Sequence, residues 1–173
     1  LLKGEQIQNS IIKLGFWPGG DRDGNPLVTT EITLKVADRL RTSILKCYYR
    51  EMRSLKRKLT FYEVDVLVAE LEYKLYRSVF YSKGEIYITL EEFKSQLNKI
   101  RTILIERNQS LYLDELEALL IKVNLFGFHF ASLDIRQNSK IHDAVFKAVV
   151  GYYMNSNSEI FPKNYYELTE NEK

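Results

Sequence analysis

The 173 residues contain one cysteine, three prolines, two histidines and one tryptophan, and several of these scarcities exclude something. A lone Cys47 cannot form an internal disulfide and is compatible with a reducing, cytoplasmic setting. It lies in a helical pattern with no His or Asn close by in sequence, so a core or half-buried thiol is expected there, not a nucleophile. His129 and His142 lack the spacing of a metal pair, and each is expected as a hydrogen-bonded structural histidine. No stretch of about 18 apolar residues occurs, so no helix is expected to cross a bilayer. Neither sign of charge dominates: 25 Lys and Arg against 23 Asp and Glu leave +2, which gives no electrostatic case for nucleic acid or membrane as partner. What is present, 45% hydrophobic and 28% charged residues, describes one globular domain able to bury a core. The chain opens on Leu1-Leu2 without Met and closes on a polar run from Leu168 to Lys173, which reads as an internal segment of a longer polypeptide.

Apolar periodicity predicts a mainly α fold with long antiparallel helices and one or two short strands. Thr29 or Thr30 caps a first helix with Glu31 in its first turn, and Ile32, Val36, Leu40, Ile44, Leu45, Tyr48 and Met52 carry it to about Lys58. Its other positions are rich in Lys and Arg, but Glu51 interrupts them, and they read as a solvated face instead of a nucleic-acid surface. A second helix is expected over 61–82, followed by a turn at Lys83-Gly84-Glu85. Thr89 caps a third, with Glu92 completing a capping box, and Leu90, Phe93, Leu97, Ile100 and Leu104 form its apolar face. Asp114 caps or opens a fourth with a stripe of Leu116, Leu119, Leu120 and Val123, and a fifth near the C-terminus has Ile141, Val145, Val149 and Tyr152. Residues 1–28 are expected as strand and glycine-rich corner, 29–124 as the helical region, and 125–173 as strand, motif and C-terminal helix.

Glycine is sparse, yet four of the eight fall in "GFWPGGDRDGNP", residues 15–26, with two of the three prolines. Gly19, Gly20 and Gly24 permit positive φ and close backbone approach, Pro18 and Pro26 hold φ, and Asn25 tolerates left-handed geometry. Asp21, Arg22 and Asp23 then sit on a rigid turn after an apolar stretch that includes Ile11, Ile12, Leu14 and Phe16. Two readings stand: a structural corner satisfied by internal hydrogen bonds and an ion pair, or a ligand-binding loop. Neither phosphate-loop pattern, G-x-x-x-x-G-K-[ST] or G-x-G-x-x-G, is present. A calcium loop counted from Asp21 would put Ile32 at the closing Glu position, where no ligand is possible.

The second concentration is "LFGFHFASLDIRQNS", residues 125–139, where Phe126, Phe128 and Phe130 alternate with Gly127, His129 and Ala131, which argues for a strand. On a strand Asp134 and Arg136 share one face. An arginine at a strand's carboxyl end can grip a phosphate or carboxylate with its planar fork. The alternative is an Asp134–Arg136 ion pair that clamps the strand end. Gln137 and His142 complete the group.

Together, "GFWPGGDRDGNPLVT" and "FGFHFASLDIRQNSKIHDAVF" resemble two blocks of phosphoenolpyruvate carboxylase. The uninterrupted run from Gly19 to Pro26 and the run from Leu133 to Gln137 carry the match. Phe16, Pro18 and Asn138 depart from the Ser, Met or Ile, and Glu usual in the family, as in a divergent bacterial-type member. The resemblance implies an enzyme that joins bicarbonate to phosphoenolpyruvate, giving oxaloacetate and phosphate. It further implies Mg²⁺ or Mn²⁺, a (β/α)8 barrel whose strands end at these motifs, and a homotetramer. Arg136 matches the family arginine that contacts the substrate phosphate, and Asp21, Arg22, Asp23, Asn25, Asp134 and Gln137 are implied to line or border the site. The family's catalytic histidine, metal carboxylates and R-G-G-x-x-x-R-G-G loop are not in this sequence, so a segment inactive alone is expected, with no catalytic or metal residue of its own. A helical interaction module and a regulatory module that binds a phosphorylated metabolite are the competing readings.

Overall fold

The computed structural model describes residues 12–23, 25–81, 87–156, 160–162 and 164–169. In chain order these form β1 (Gly15–Phe16), α1 (Thr30–Lys56), α2 (Val64–Phe80), α3 (Leu90–Arg107), α4 (Leu113–Phe126), β2 (Ser132–Leu133), α5 (Ser139–Asn155) and a 3₁₀ turn (Tyr165–Glu167). The expected turn at Lys83-Gly84-Glu85, the stretch before Ile12 and Gly24 lie outside the described residues.

The helix starts follow from local chemistry. Thr29 caps α1, its hydroxyl accepting from Ile32 N at 3.4 Å, and Thr89 caps α3 by accepting from Glu92 N at 3.1 Å. The capping box at α3 is only half as expected, because the Glu92 carboxylate turns to Lys74 on α2, 2.6 Å away. α4 begins at Leu113 behind Tyr112 in a left-handed conformation, with Asp114 and Glu115 in the first turn, where the helix dipole favours acids.

Helices α1–α4 form an up-down-up-down bundle. Pairs Lys56–Glu72 and Tyr49–Tyr76 join α1 to an antiparallel α2. Arg101–Glu117 joins α3 to α4, and Glu51–Lys122 and Lys58–Glu115 join α1 to α4. The stripes read from periodicity meet inside: Tyr48, Met52, Val68, Leu71, Leu75, Phe93, Leu97, Leu104, Leu116, Leu119 and Val123 are all buried. Each such side chain contributes roughly 1.5–3 kcal/mol of apolar burial. Ile32, expected on that stripe, stays exposed because it lies at the start of α1, before the bundle begins.

Three expectations are corrected. The alternating aromatics do not form a strand: α4 continues through Phe126, Gly127 (φ +54) and Phe130 (φ +69) break the backbone, and β2 is only Ser132–Leu133. The alternation instead serves two packings, with Phe128 buried against Tyr48 and Phe93 and Phe126 stacked on Phe130. Cys47 is exposed, since it sits one residue before the inward-facing Tyr48 and faces outward. His129 and His142 are also exposed, with no side-chain hydrogen bond among the described residues, so neither is the satisfied structural histidine expected.

β1 and β2 are parallel neighbours, Gly15 beside Ser132 and Phe16 beside Leu133, and the four-helix bundle is the crossover that parallel pairing requires. The α5 stripe is present but solvent-facing: Ile141, Val145, Val149 and Tyr152 are all exposed, and only Val150 of this helix is buried.

Candidate functional site

Because the two strands are parallel, the segments that leave them, 17–23 and 134–137, emerge at the same end of the sheet. Carboxyl ends of parallel strands are where ligands bind in open and closed α/β sheets. The two sequence motifs expected to carry function are thus brought together, although more than a hundred residues separate them.

They are joined by backbone. Ser132 N donates to Leu14 O and Asp134 N to Phe16 O, both at 2.9 Å. The first segment then loops out through Pro18 and Gly19, closed by Gly20 N and Asp21 N donating to Trp17 O at 2.9 and 3.2 Å. It returns to the ladder with Arg136 N donating to Gly20 O at 3.0 Å and Arg22 N donating to Arg136 O at 2.9 Å, so Asp21 bridges Arg136. Gly19, at φ +83, supplies the left-handed step that closes the loop. The Thr33 hydroxyl, on the first turn of α1, donates to Gly19 O at 2.7 Å and ties the loop to the bundle. Thr33 was not legible as a site-supporting residue, since nothing local links it to a carbonyl 14 positions earlier.

The candidate residues divide. Arg22 and Arg136 stand on adjacent, hydrogen-bonded backbone. The Arg136 side chain is exposed, and Arg22 Nε is buried with no hydrogen-bond partner. A buried guanidinium donor left unbonded is costly, and such a group calls for an acceptor. Asp21 is half-buried beside them, and the Asp134 carboxylate lies over Gly15. Among the described residues no ion pair joins Asp134 to Arg136, so the clamp reading finds no pair, and no ion pair involves Arg22. Asn25 acts locally, its side-chain oxygen accepting from Leu27 N at 3.0 Å in the turn that leads to α1. The Gln137 side-chain oxygen accepts from Asn138 N at 3.0 Å, and Asn138 in turn caps α5 by accepting from Lys140 N at 2.9 Å. Asp23 is exposed.

Among the described residues no three His, Cys, Asp or Glu side chains converge to hold a metal ion, and Asp21, Asp23 and Asp134 do not make such a set. A divalent ion therefore finds no ligand cage in these residues. No helix among them is long and apolar enough to cross a membrane. A groove of about 640 Å³ runs by Ile12, Leu14, Leu40, Phe126, Phe130 and Leu133, at the opposite end of the strands from the arginines.

A model of the family described as phosphoenolpyruvate carboxylase matches residues 2–79 and 67–173. The chain is 30% identical to the phosphoenolpyruvate carboxylase of Nitrosomonas eutropha, over 95% of this chain and 21% of that protein. It is 27% identical to that of Prochlorococcus marinus, over 96% and 22%, and 32% identical to one from Rhodopseudomonas palustris, over 80% and 19%. The chain thus spans about a fifth of the length of the curated relatives it matches. The Nitrosomonas alignment extends over 203 positions, more than the 173 residues present here, so that relative carries insertions within the region.

Proposed function

Because the chain belongs to the phosphoenolpyruvate carboxylase family, we propose that it supplies part of the substrate-phosphate site of an enzyme that carboxylates phosphoenolpyruvate with bicarbonate, giving oxaloacetate and phosphate. The observation that carries this is the backbone bridge that sets Asp21 beside Arg136, with Arg22 next in the chain, at the carboxyl ends of parallel strands.

The chemistry suits the residues. A phosphate ester presents several oxygens around one centre, and a guanidinium presents paired N–H groups in a plane, so one arginine can hold two of those oxygens at once. The permanent charge of Arg136 also favours the negative charge on the phosphoryl oxygens as the P–O bond to the enol oxygen breaks. Arg136 is the direct contact, and Asp21, Arg22 and Asp134 border the site. Proton transfer and metal binding fall to residues beyond this segment. On this reading β1 and β2 are neighbouring strands of a (β/α)8 barrel, in a cytoplasmic homotetramer that feeds oxaloacetate to central metabolism.

The test is steady-state kinetics of the full-length enzyme. Arg136→Ala is expected to lower kcat/KM for phosphoenolpyruvate by at least ~10-fold, about 1.4 kcal/mol of transition-state binding. If the variant melts earlier yet keeps wild-type kinetics at low temperature, the arginine is structural and the phosphate contact is wrong.

A further inference from the structure

Three glycines lie along the pairing of the two motifs, and a side chain at each would meet something different. A Cβ on Gly15 would find its nearest neighbour, Asp134 Oδ2, at 3.9 Å, which is ordinary contact. One on Gly19 would meet Val36 Cγ2 at 2.5 Å, a side-chain atom on α1. A Cβ on Gly20 would overlap the backbone carbonyl oxygen of Asp134, with the carbonyl carbon at 2.9 Å and Leu133 Cδ1 at 3.4 Å. Gly20 is also buried, and its own carbonyl accepts from Arg136 N.

The distinction is physical. A side chain can rotate out of the way, but the Asp134 carbonyl belongs to a segment held at Asp134 N by Phe16 O and at Arg136 N by Gly20 O. The first segment takes five steps from Phe16 to Asp21 to cover the interval that the second covers in three, from Leu133 to Arg136. The excess is absorbed in the loop, which swings Gly20 inward onto the second segment. Only hydrogen fits there.

We propose that Gly20 is a positioning residue for substrate binding. Its missing side chain lets the Arg22 and Arg136 corners meet at one hydrogen-bonded register, and a methyl group there forces them apart. The inference rests on the reading of Arg136 as the phosphate contact. A side chain at position 20 then acts on phosphoenolpyruvate affinity through the placement of Arg136, whose N–H bonds Gly20 O, without touching the substrate.

The experiment compares Gly20→Ala, Gly15→Ala, Arg136→Ala and the Gly20→Ala/Arg136→Ala double variant in the full-length enzyme, with KM measured separately for phosphoenolpyruvate and bicarbonate. Gly20→Ala is expected to raise KM for phosphoenolpyruvate about 10-fold while that for bicarbonate moves less than about 3-fold, and Gly15→Ala to change neither by more than about 2-fold. In the double variant the Arg136 loss should cost several-fold less than it does alone, since residues that act together are not additive. Equal, additive effects, or a folded Gly20→Ala enzyme with wild-type KM for phosphoenolpyruvate, would overturn the proposal. Should Gly20→Ala not fold, Thr33→Val decides. It removes the hydroxyl that holds Gly19 O, loosening the same corner without adding bulk there, and should raise KM for phosphoenolpyruvate a few-fold (about 2–5). An unchanged KM in that variant rejects the positioning role. If Arg136→Ala itself leaves phosphoenolpyruvate kinetics intact, the phosphate reading fails first, and the two failures are told apart.

Discussion

Arg136 and Lys differ in shape more than in charge. Arg136→Lys in the full-length enzyme keeps the positive charge but loses the planar fork, so it should recover only part of the kcat/KM that Arg136→Ala loses. Full recovery would mean that the site reads charge alone. Tyr48 is the other residue on which much turns. Its ring is fully buried in the bundle, and its hydroxyl is shared between the carbonyls of Gly127 at 2.9 Å and Lys122 at 3.2 Å, closing the end of α4 just before the turn to β2. Tyr48→Phe keeps the ring and leaves those carbonyls short of a donor, a loss of about 1–2 kcal/mol that a denaturant titration would register as a lower midpoint. Burial, with the charge of Glu51 and then Cys47 behind it, pushes the Tyr48 hydroxyl well above the usual tyrosine range. The folded state thus holds this proton more tightly than the unfolded one. Its contribution is fully present below the unfolded tyrosine value, about 10, and is lost as pH rises beyond that toward the folded value. In Tyr48→Phe that part of the alkaline loss should disappear.

Among the elements, the four bundle helices and α5 carry similar apolar stripes with different fates. Phe93 is buried on α3 between Tyr48 and Phe128, so Phe93→Ala should cost roughly 3–5 kcal/mol in this segment, seen by denaturant or thermal melts. Val145 on α5 is 57% exposed, and Val145→Asp should change segment stability by less than about 0.5 kcal/mol. A large cost at Val145 would show that α5 packs in this segment. The caps are individually testable: Thr89→Ala removes the acceptor for Glu92 N and should cost about 1 kcal/mol. The lysines and arginines on and just after α1 read as a solvated face, and several of them do pair with acids, Lys35 with Glu31, Lys56 with Glu72 and, past the helix end, Lys58 with Glu115. These pairs are exposed or partly so, and each contributes little.

At the scale of the whole molecule, the segment carries a packed helical bundle but only two corners of the proposed site. Its far-UV circular dichroism should be dominated by helix. A coupled assay for oxaloacetate with phosphoenolpyruvate, bicarbonate and Mg²⁺ should remain at background for the segment, because no metal-binding set is found among its described residues and only part of the proposed phosphate site is present. Turnover above a heat-killed control would mean that the segment is catalytically sufficient.

Helix identity was legible in advance because its signals are local: a threonine three residues before an N–H to cap, and apolar residues three and four apart. The glycine-rich corner and the Arg136 motif stood out as two candidate stretches through their residue types and the resemblance they bear, but their backbone pairing did not. The aromatic run at 126–130 misled because alternation fits both a strand and a helix end followed by a turn. Positive φ at Gly127 and Phe130 decides for the second. Exposure of Cys47 and of the α5 stripe depended on which neighbours arrive, and residue spacing carries no record of that. The closest packing in the site, Gly20 against the Asp134 carbonyl, joins residues over a hundred positions apart across a parallel pair. Only tertiary structure could decide it, since parallel strands meet through a long crossover and their register is set by the packing of everything between them.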